Sequence, residues 1–437
     1  MSQLIPIRIP PHRLPLLYFT LGATSALLLA PVLTSLVSTP VPKTISSPLA
    51  TATALSTTSV TLPYAPTSLP GARDIPTPYG NIRAYEFGPT SGRKVLLVYG
   101  ISTPCIALAP IAEKLAAKGC RVLMYDLFGR GYSDGIGDAE YDERMYISQI
   151  LYVLASSPLR WLPGTSKSSG KGEGEGAGAE TDEGFSIMGY SMGGGIAMAF
   201  ASYFPALVTD IVLLAPGGLL RPTSSTWQTR LIFSGWLPDA LTSWLVGRRL
   251  KFAPNVKTTG DDNPASGEAG VGKGAGAPMA FGKPVDAAGI VSWQLDNHKG
   301  FLPAFISSMR FAPLKGGHAQ WEAVGRMLDK ARAQQEGSVV NVESTGEHED
   351  EKEGEGRGAT GLKLKCGKIL MVVGKEDTVI RSYEHVPDAM ACLGELNLEV
   401  LELEAGHEVP VTKSQEIVEW VWANWTDAGG NGEDAEV

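Results

Sequence analysis

Phe185-Ser186-Ile187-Met188-Gly189-Tyr190-Ser191-Met192-Gly193-Gly194-Gly195 joins a short apolar run to a stretch of small residues. Residues 185–188 read as a buried strand, and residues 192–204 (MGGGIAMAFASYF) read as a helix rich in Gly and Ala. Between them stands G-x-S-x-G. A strand that turns directly into a helix leaves room only for small residues on either side of the serine, and it holds that serine strained and outward. The first N–H groups of the helix and its dipole then face negative charge developing on a group the serine attacks. Ser191 is therefore the candidate nucleophile; the bland alternative is a Gly-rich structural turn.

A serine hydroxyl is a weak nucleophile at neutral pH and needs a base oriented by a third group. Residues 398–403 read as the last strand, and Ala405-Gly406-His407-Glu408 follows it. His407 is the candidate base, with His385 as the rival inside a stretch that reads as helical. The run KILMVV at 368–373 is another strand, directly followed by Gly374-Lys375-Glu376-Asp377. Asp377 is the candidate acid and Glu376 the alternative. Stabilising an oxyanion takes two backbone N–H groups. Met192 supplies one as the residue after the nucleophile. The second is expected from the loop after KVLLVY (94–99), from Ile101 or, failing that, Ser102.

Working outward, strands are expected at 81–87, 94–99, 121–125 and 210–214, and helices at 106–118, 142–155 and 415–425. Strand and helix alternate, so the expected fold class is α/β, with a mostly parallel central sheet and helices on both faces. Residues 217–330 read as a helical cap over the carboxyl ends of the strands, carrying Trp227, Leu231, Phe233, Trp236, Leu237, Trp244 and Leu245.

These residues carry a resemblance. The chain resembles the α/β-hydrolase superfamily, in which esterases, lipases and carbon–carbon bond hydrolases occur, over roughly 75–425. Asp126-Leu127-Phe128-Gly129-Arg130-Gly131-Tyr132-Ser133-Asp134 adds to it, since it is similar to the D-x-x-G-x-G-x-S loop of that superfamily. The resemblance implies that this loop shapes the pocket wall without taking part in chemistry. Tyr99-Gly100 departs from the usual His-Gly, which puts the geometry of that loop in question. A serine at the elbow, where other members carry aspartate, argues against haloalkane dehalogenase or epoxide hydrolase chemistry.

The termini and insertions read differently from the core. No acidic residue precedes Asp74, and an apolar run of 24 residues spans 14–37 behind Arg8, His12 and Arg13. At a rise of about 1.5 Å per residue such a run crosses a hydrocarbon core of roughly 30 Å. Residues 1–43 are read as a single-pass membrane anchor that leaves the domain lumenal or extracellular. The alternatives are a cleaved secretory signal, an organellar presequence or a disordered tail. Residues 44–73 read as a Ser/Thr/Pro-rich linker and 74–426 as the catalytic domain. Within that domain, 164–184, 258–283 and 334–361 are expected to be disordered insertions, and 427–437 is an acidic tail.

The 437 residues carry a net charge of −9, which argues against a nucleic-acid partner. Cys105, Cys120, Cys366 and Cys392 are far apart with no C-x-x-C pair, and the six histidines show no metal-ligand spacing. No metal or other cofactor is expected. The reading is a serine hydrolase that cleaves a hydrophobic small-molecule ester through an acyl-enzyme. Carbon–carbon hydrolysis or acyl transfer with the same residues, and a non-catalytic membrane-tethered binding module, are the competing readings.

Overall fold

The computed structural model describes residues 43–55, 62–162, 184–221, 226–252, 287–342, 362 and 364–427. The chain opens with β1 (Thr44–Ile45) and α1 (Pro48–Leu55). A first group of strands follows: β2 (Arg73–Thr77), β3 (Gly80–Phe87) and β4 (Lys94–Val98). Next come α2 (Ala109–Ala117), β5 (Arg121–Tyr125), β6 (Gly135–Ile136) and α3 (Glu143–Ala155). The centre is built by β7 (Phe185–Tyr190), α4 (Met192–Tyr203) and β8 (Val208–Leu214). The helices α5 (Trp227–Ile232), α6 (Asp239–Phe252), α7 (Ala287–Asn297), α8 (Phe301–Phe311) and α9 (His318–Val342) come after β8. The chain closes through β9 (Ile369–Gly374), α10 (Ser382–Leu393), β10 (Leu398–Leu403), α11 (Val409–Thr412) and α12 (Ser414–Asp427).

An eight-stranded sheet runs in the order β10-β9-β8-β7-β4-β5-β3-β2. From β10 to β5 every pairing is parallel, and only β3 and β2 run antiparallel at the far edge. This is the mostly parallel α/β sheet that the alternating pattern predicts. Because successive side chains of a strand point to opposite faces, the runs KVLLV and ILMVVG feed two cores at once. Leu96, Val98, Ile187, Leu213 and Met371 pack on one face with α3, α4, α9 and α10. Val95, Leu97, Met188, Val212 and Leu370 pack on the other with α2 and α12. Truncating any of the fully buried leucines to alanine costs about 2–5 kcal/mol, the lost transfer energy plus the cavity. Local signals agree with this frame: Asp142 caps α3 by accepting the Met145 N–H at 3.0 Å, so the helix starts where its apolar face begins.

Three expectations need correction. Where they are described, residues 44–73 are part of the domain and not a linker. Thr44 and Ile45 pair with Ile136 and Gly135, and Tyr64 and Leu69 are buried. The Tyr64 ring lies 4.7 Å from that of Tyr132. A Ser/Thr/Pro-rich composition does not reveal such anchoring, because so few apolar residues carry it.

The cap is also narrower than expected. α9 packs along α4 and α10, the helices that flank the sheet, so the cap comprises α5 to α8. The tryptophans named for it turn outward: Trp227, Trp236 and Trp244 are exposed, while Thr242, Val246 and Leu250 form the inner face of α6. Finally, α9 continues to Val342, past the expected start of the third insertion at 334. The remainder of the insertions, the apolar run at 14–37 and residues 428–437 lie outside the described residues. Among the described residues no helix is long and apolar enough to cross a membrane.

Candidate active site

Ser191 occupies the sharp turn between β7 and α4 with φ 52 and ψ −123. It is one of two non-glycine residues with positive φ among the described residues, a conformation that costs on the order of 1–3 kcal/mol. The surrounding structure holds it there: its N–H donates to Leu214 O at 3.0 Å, and its carbonyl accepts from Gly194 N at 2.8 Å and Gly217 N at 2.7 Å. The flanking glycines are required by space. A Cβ on Gly189 would fall 2.3 Å from Gly193 O, and one on Gly193 would fall 2.2 Å from Val98 O. Neither position has room for a side chain larger than hydrogen.

His407, in the loop after β10, places Nε2 3.0 Å from Ser191 Oγ. Its Nδ1 lies 2.8 Å from Asp377 Oδ2, in the loop after β9. The other Asp377 oxygen accepts the N–H groups of Val379 and Ile380, each at 2.8 Å. These two donors leave the carboxylate aimed at the imidazole. An ionised carboxylate only accepts, so Nδ1 carries the proton and the Nε2 lone pair is left for the serine hydroxyl. All three side chains are buried.

The loop after β4 lies against the nucleophile. A Cβ on Gly100 would stand 3.2 Å from Ser191 Cβ and 3.6 Å from Oγ. Buried polar side chains fix the loop from behind. Arg130 Nε donates to Ile101 O at 3.0 Å, and Gln294 Nε2 of α7 donates to Ser102 O at 2.9 Å. Asp126 Oδ1 accepts from Cys105 N at 2.9 Å. Arg130 also reaches Ser308 Oγ of α8 at 2.8 Å, and Gln294 Oε1 accepts from Gly131 N at 2.8 Å. Both Arg130 and Gln294 are wholly buried, so each bond lies in a medium where its loss leaves an unpaired group.

Tyr99, which stands where the resembling pattern has histidine, joins an aromatic row. Its ring meets that of Tyr190 edge-on at 5.0 Å, and the Tyr190 ring lies 5.3 Å from the His407 ring. Tyr190 Oη donates to His407 O at 2.9 Å, so this aromatic row steadies the histidine loop through its backbone.

A profile of the alpha/beta hydrolase family matches residues 95–420. The chain belongs to that family. A serine hydrolase-like protein of Danio rerio is 28% identical over 153 residues, which is 35% of this chain and 39% of that protein. One of Dictyostelium discoideum is 32% identical over 144 residues, 32% of this chain and 33% of that protein. The match therefore spans well under half the length of these curated relatives. Among solved structures, a membrane phospholipase A described as a bacterial virulence factor is similar with TM-score 0.50 at 14% identity, covering 95% of this chain and 99% of that one. The enol-lactonase from Burkholderia xenovorans LB400 reaches TM-score 0.49 at 13% identity, covering 81% and 100%.

In this α/β hydrolase the rival site residues stand apart. The Glu376 side chain faces solvent. His385 is buried in α10, its ring centre 6.0 Å from that of Trp321. Burial lowers its pKa to about 4, which keeps it neutral. His298 is likewise lowered to about 4 by burial. Its Nδ1 accepts from Gly300 N at 3.1 Å, so Nε2 carries the proton and donates to Ser133 O at 2.9 Å. The positioning roles of Arg130 and Tyr190 were present only as motif letters, and Gln294 left no signal, being one glutamine in an amphipathic helix.

Proposed function

We propose that this α/β hydrolase cleaves a carboxylic ester of an apolar small molecule through an acyl-enzyme on Ser191. One observation carries the reading: the unbroken chain of hydrogen bonds from Ser191 Oγ through His407, at 3.0 and 2.8 Å, to Asp377. Ser191 Oγ attacks the acyl carbon while its proton passes to His407 Nε2. The carbonyl oxygen becomes an oxyanion held by the N–H groups of Met192 and Ile101. Met192 opens α4, where an N–H has no intrahelical acceptor. Collapse breaks the bond to the leaving oxygen, which takes the proton from Nε2. Water then attacks the acyl-enzyme, giving one proton to His407 and restoring Ser191 as the acid departs. Asp377 stays ionised throughout and stabilises the imidazolium.

Tyr190 and Met192, which flank Ser191 in sequence, and Ile101 of the loop after β4 are apolar or aromatic, which favours an apolar acyl group. The outward tryptophans of the cap lend it no support. A series of p-nitrophenyl esters of increasing chain length tests the reading. The expected result is a burst of p-nitrophenol followed by steady turnover, with kcat/KM rising with acyl length before it levels. A flat profile removes the apolar acyl pocket, and no turnover on any ester turns the reading toward carbon–carbon cleavage or acyl transfer. We further propose that residues 1–43 tether the domain to a membrane, on the strength of their apolar run alone. Extraction with carbonate against detergent tests that; release by carbonate contradicts it.

A further inference from the structure

The outer side of the cap is built from residues that a water-facing surface does not need. Trp227 is 71% exposed, Trp236 86% and Trp244 57%, with Leu231 and Leu241 at 42% and 43%. Helical spacing sets Trp227 and Leu231 on one side of α5, and Leu241 and Trp244 on one side of α6. Trp236 lies in the turn between them. The opposite side of α6 already serves the domain through Thr242, Val246 and Leu250, so this helix is apolar on both sides.

The charge of the same hairpin opposes that of the chain. Residues 226–252 hold Arg230, Arg248, Arg249 and Lys251 against the single acid Asp239, in a protein of net charge −9; Lys251 is paired with Asp296 of α7 at 2.9 Å, which leaves the three arginines as the hairpin's excess. Asp239 is in turn paired with Arg310 at 3.4 Å. The Arg248 guanidinium sits 5.6 Å from the centre of the Trp244 ring. A cleft of about 430 Å³ is lined by Ile232, Leu245, Arg248 and Arg249. Two guanidinium groups beside aliphatic walls match an anionic phosphate joined to a hydrocarbon chain.

The geometry points to an anionic phospholipid bilayer as the occupant of this surface. The tryptophans sit at headgroup level, where an amphipathic ring is favoured, and the arginines meet lipid phosphates. A second copy fits less well, because a two-fold contact through this patch sets the same cations against one another. This docking is separate from the chemistry at Ser191.

Hydrogen–deuterium exchange of the full chain tests it without requiring turnover. Adding vesicles of phosphatidylcholine with phosphatidylserine is expected to slow exchange across 226–252, and phosphatidylcholine alone to do so much less. Because exchange is read peptide by peptide, binding by residues 1–43 does not imitate this result. The triple variant Trp227→Ser, Trp236→Ser, Trp244→Ser is expected to lose the protection. Arg248→Glu with Arg249→Glu is expected to reduce the protection at 226–252 severalfold on the mixed vesicles. Hydrolysis of a soluble ester by these variants reports that they fold. Unchanged exchange of the wild type at 226–252 with mixed vesicles overturns the proposal, and that measurement needs no variant. Protection that follows protein concentration and not lipid overturns it in favour of self-association, as does equal protection in the variants.

Discussion

Gln294, on a cap helix, donates its amide N–H to the carbonyl oxygen of Ser102 at 2.9 Å, so the cap reaches directly into the loop that abuts the nucleophile. The same side chain accepts from Gly131 N at 2.8 Å, which joins three segments far apart in sequence.

Removing that bridge takes one hydrogen-bond partner from each of two buried backbone groups, at about 1–3 kcal/mol each in the folded state. Gln294→Met keeps the volume and is expected to lower kcat by roughly tenfold with little change in KM, since it disturbs the loop that carries the proposed oxyanion donor Ile101 and no substrate contact. Steady-state kinetics with a soluble ester, together with urea denaturation, checks both parts. A change confined to KM places Gln294 in the substrate pocket instead.

Asp377 both orients His407 and receives the Val379 and Ile380 N–H groups. Asp377→Asn can retain one oxygen acceptor for the backbone but loses the charge that stabilises the imidazolium. A fall in kcat on the order of 10⁴ is expected, with stability changed little by comparison. Kinetics and thermal melting measured side by side separate the two roles.

Two buried histidines outside the site set an acid limit on stability. His298 and His385 titrate near 4 in the fold against 6.5 when exposed. Between those values the unfolded chain binds more protons, so stability rises with pH there. It is lost as pH falls below 6.5 and the loss levels off near 4, amounting to roughly 3 kcal/mol for each histidine. Urea denaturation across this range measures the slope, and His298→Gln with His385→Leu should flatten it. A wild-type profile already flat from 4.5 to 6.5 is inconsistent with neutral burial.

Much of the frame was legible because parallel strands buried on both faces announce themselves as unbroken apolar runs, as at 94–99 and 368–373. The elbow was legible because its steric demand falls on glycine alone. The antiparallel strand β2 was not, since Arg73, Asp74, Pro76 and Thr77 leave only Ile75 buried. Nor could α6 be oriented from sequence. With apolar residues on both sides, its pattern does not say whether Val246 or Trp244 faces the domain. Gln294 and Arg130 acquire their roles only from folding, which brings α7 and the loop at 126–134 behind residues 101 and 102.

The proposed role of Ser191, a nucleophile activated through His407, is open to intact-mass analysis after treatment with a fluorophosphonate. A single adduct on Ser191 is expected, absent in Ser191→Ala and formed far more slowly in His407→Gln. An unlabelled wild-type chain, or equal labelling of Ser191→Ala, contradicts it.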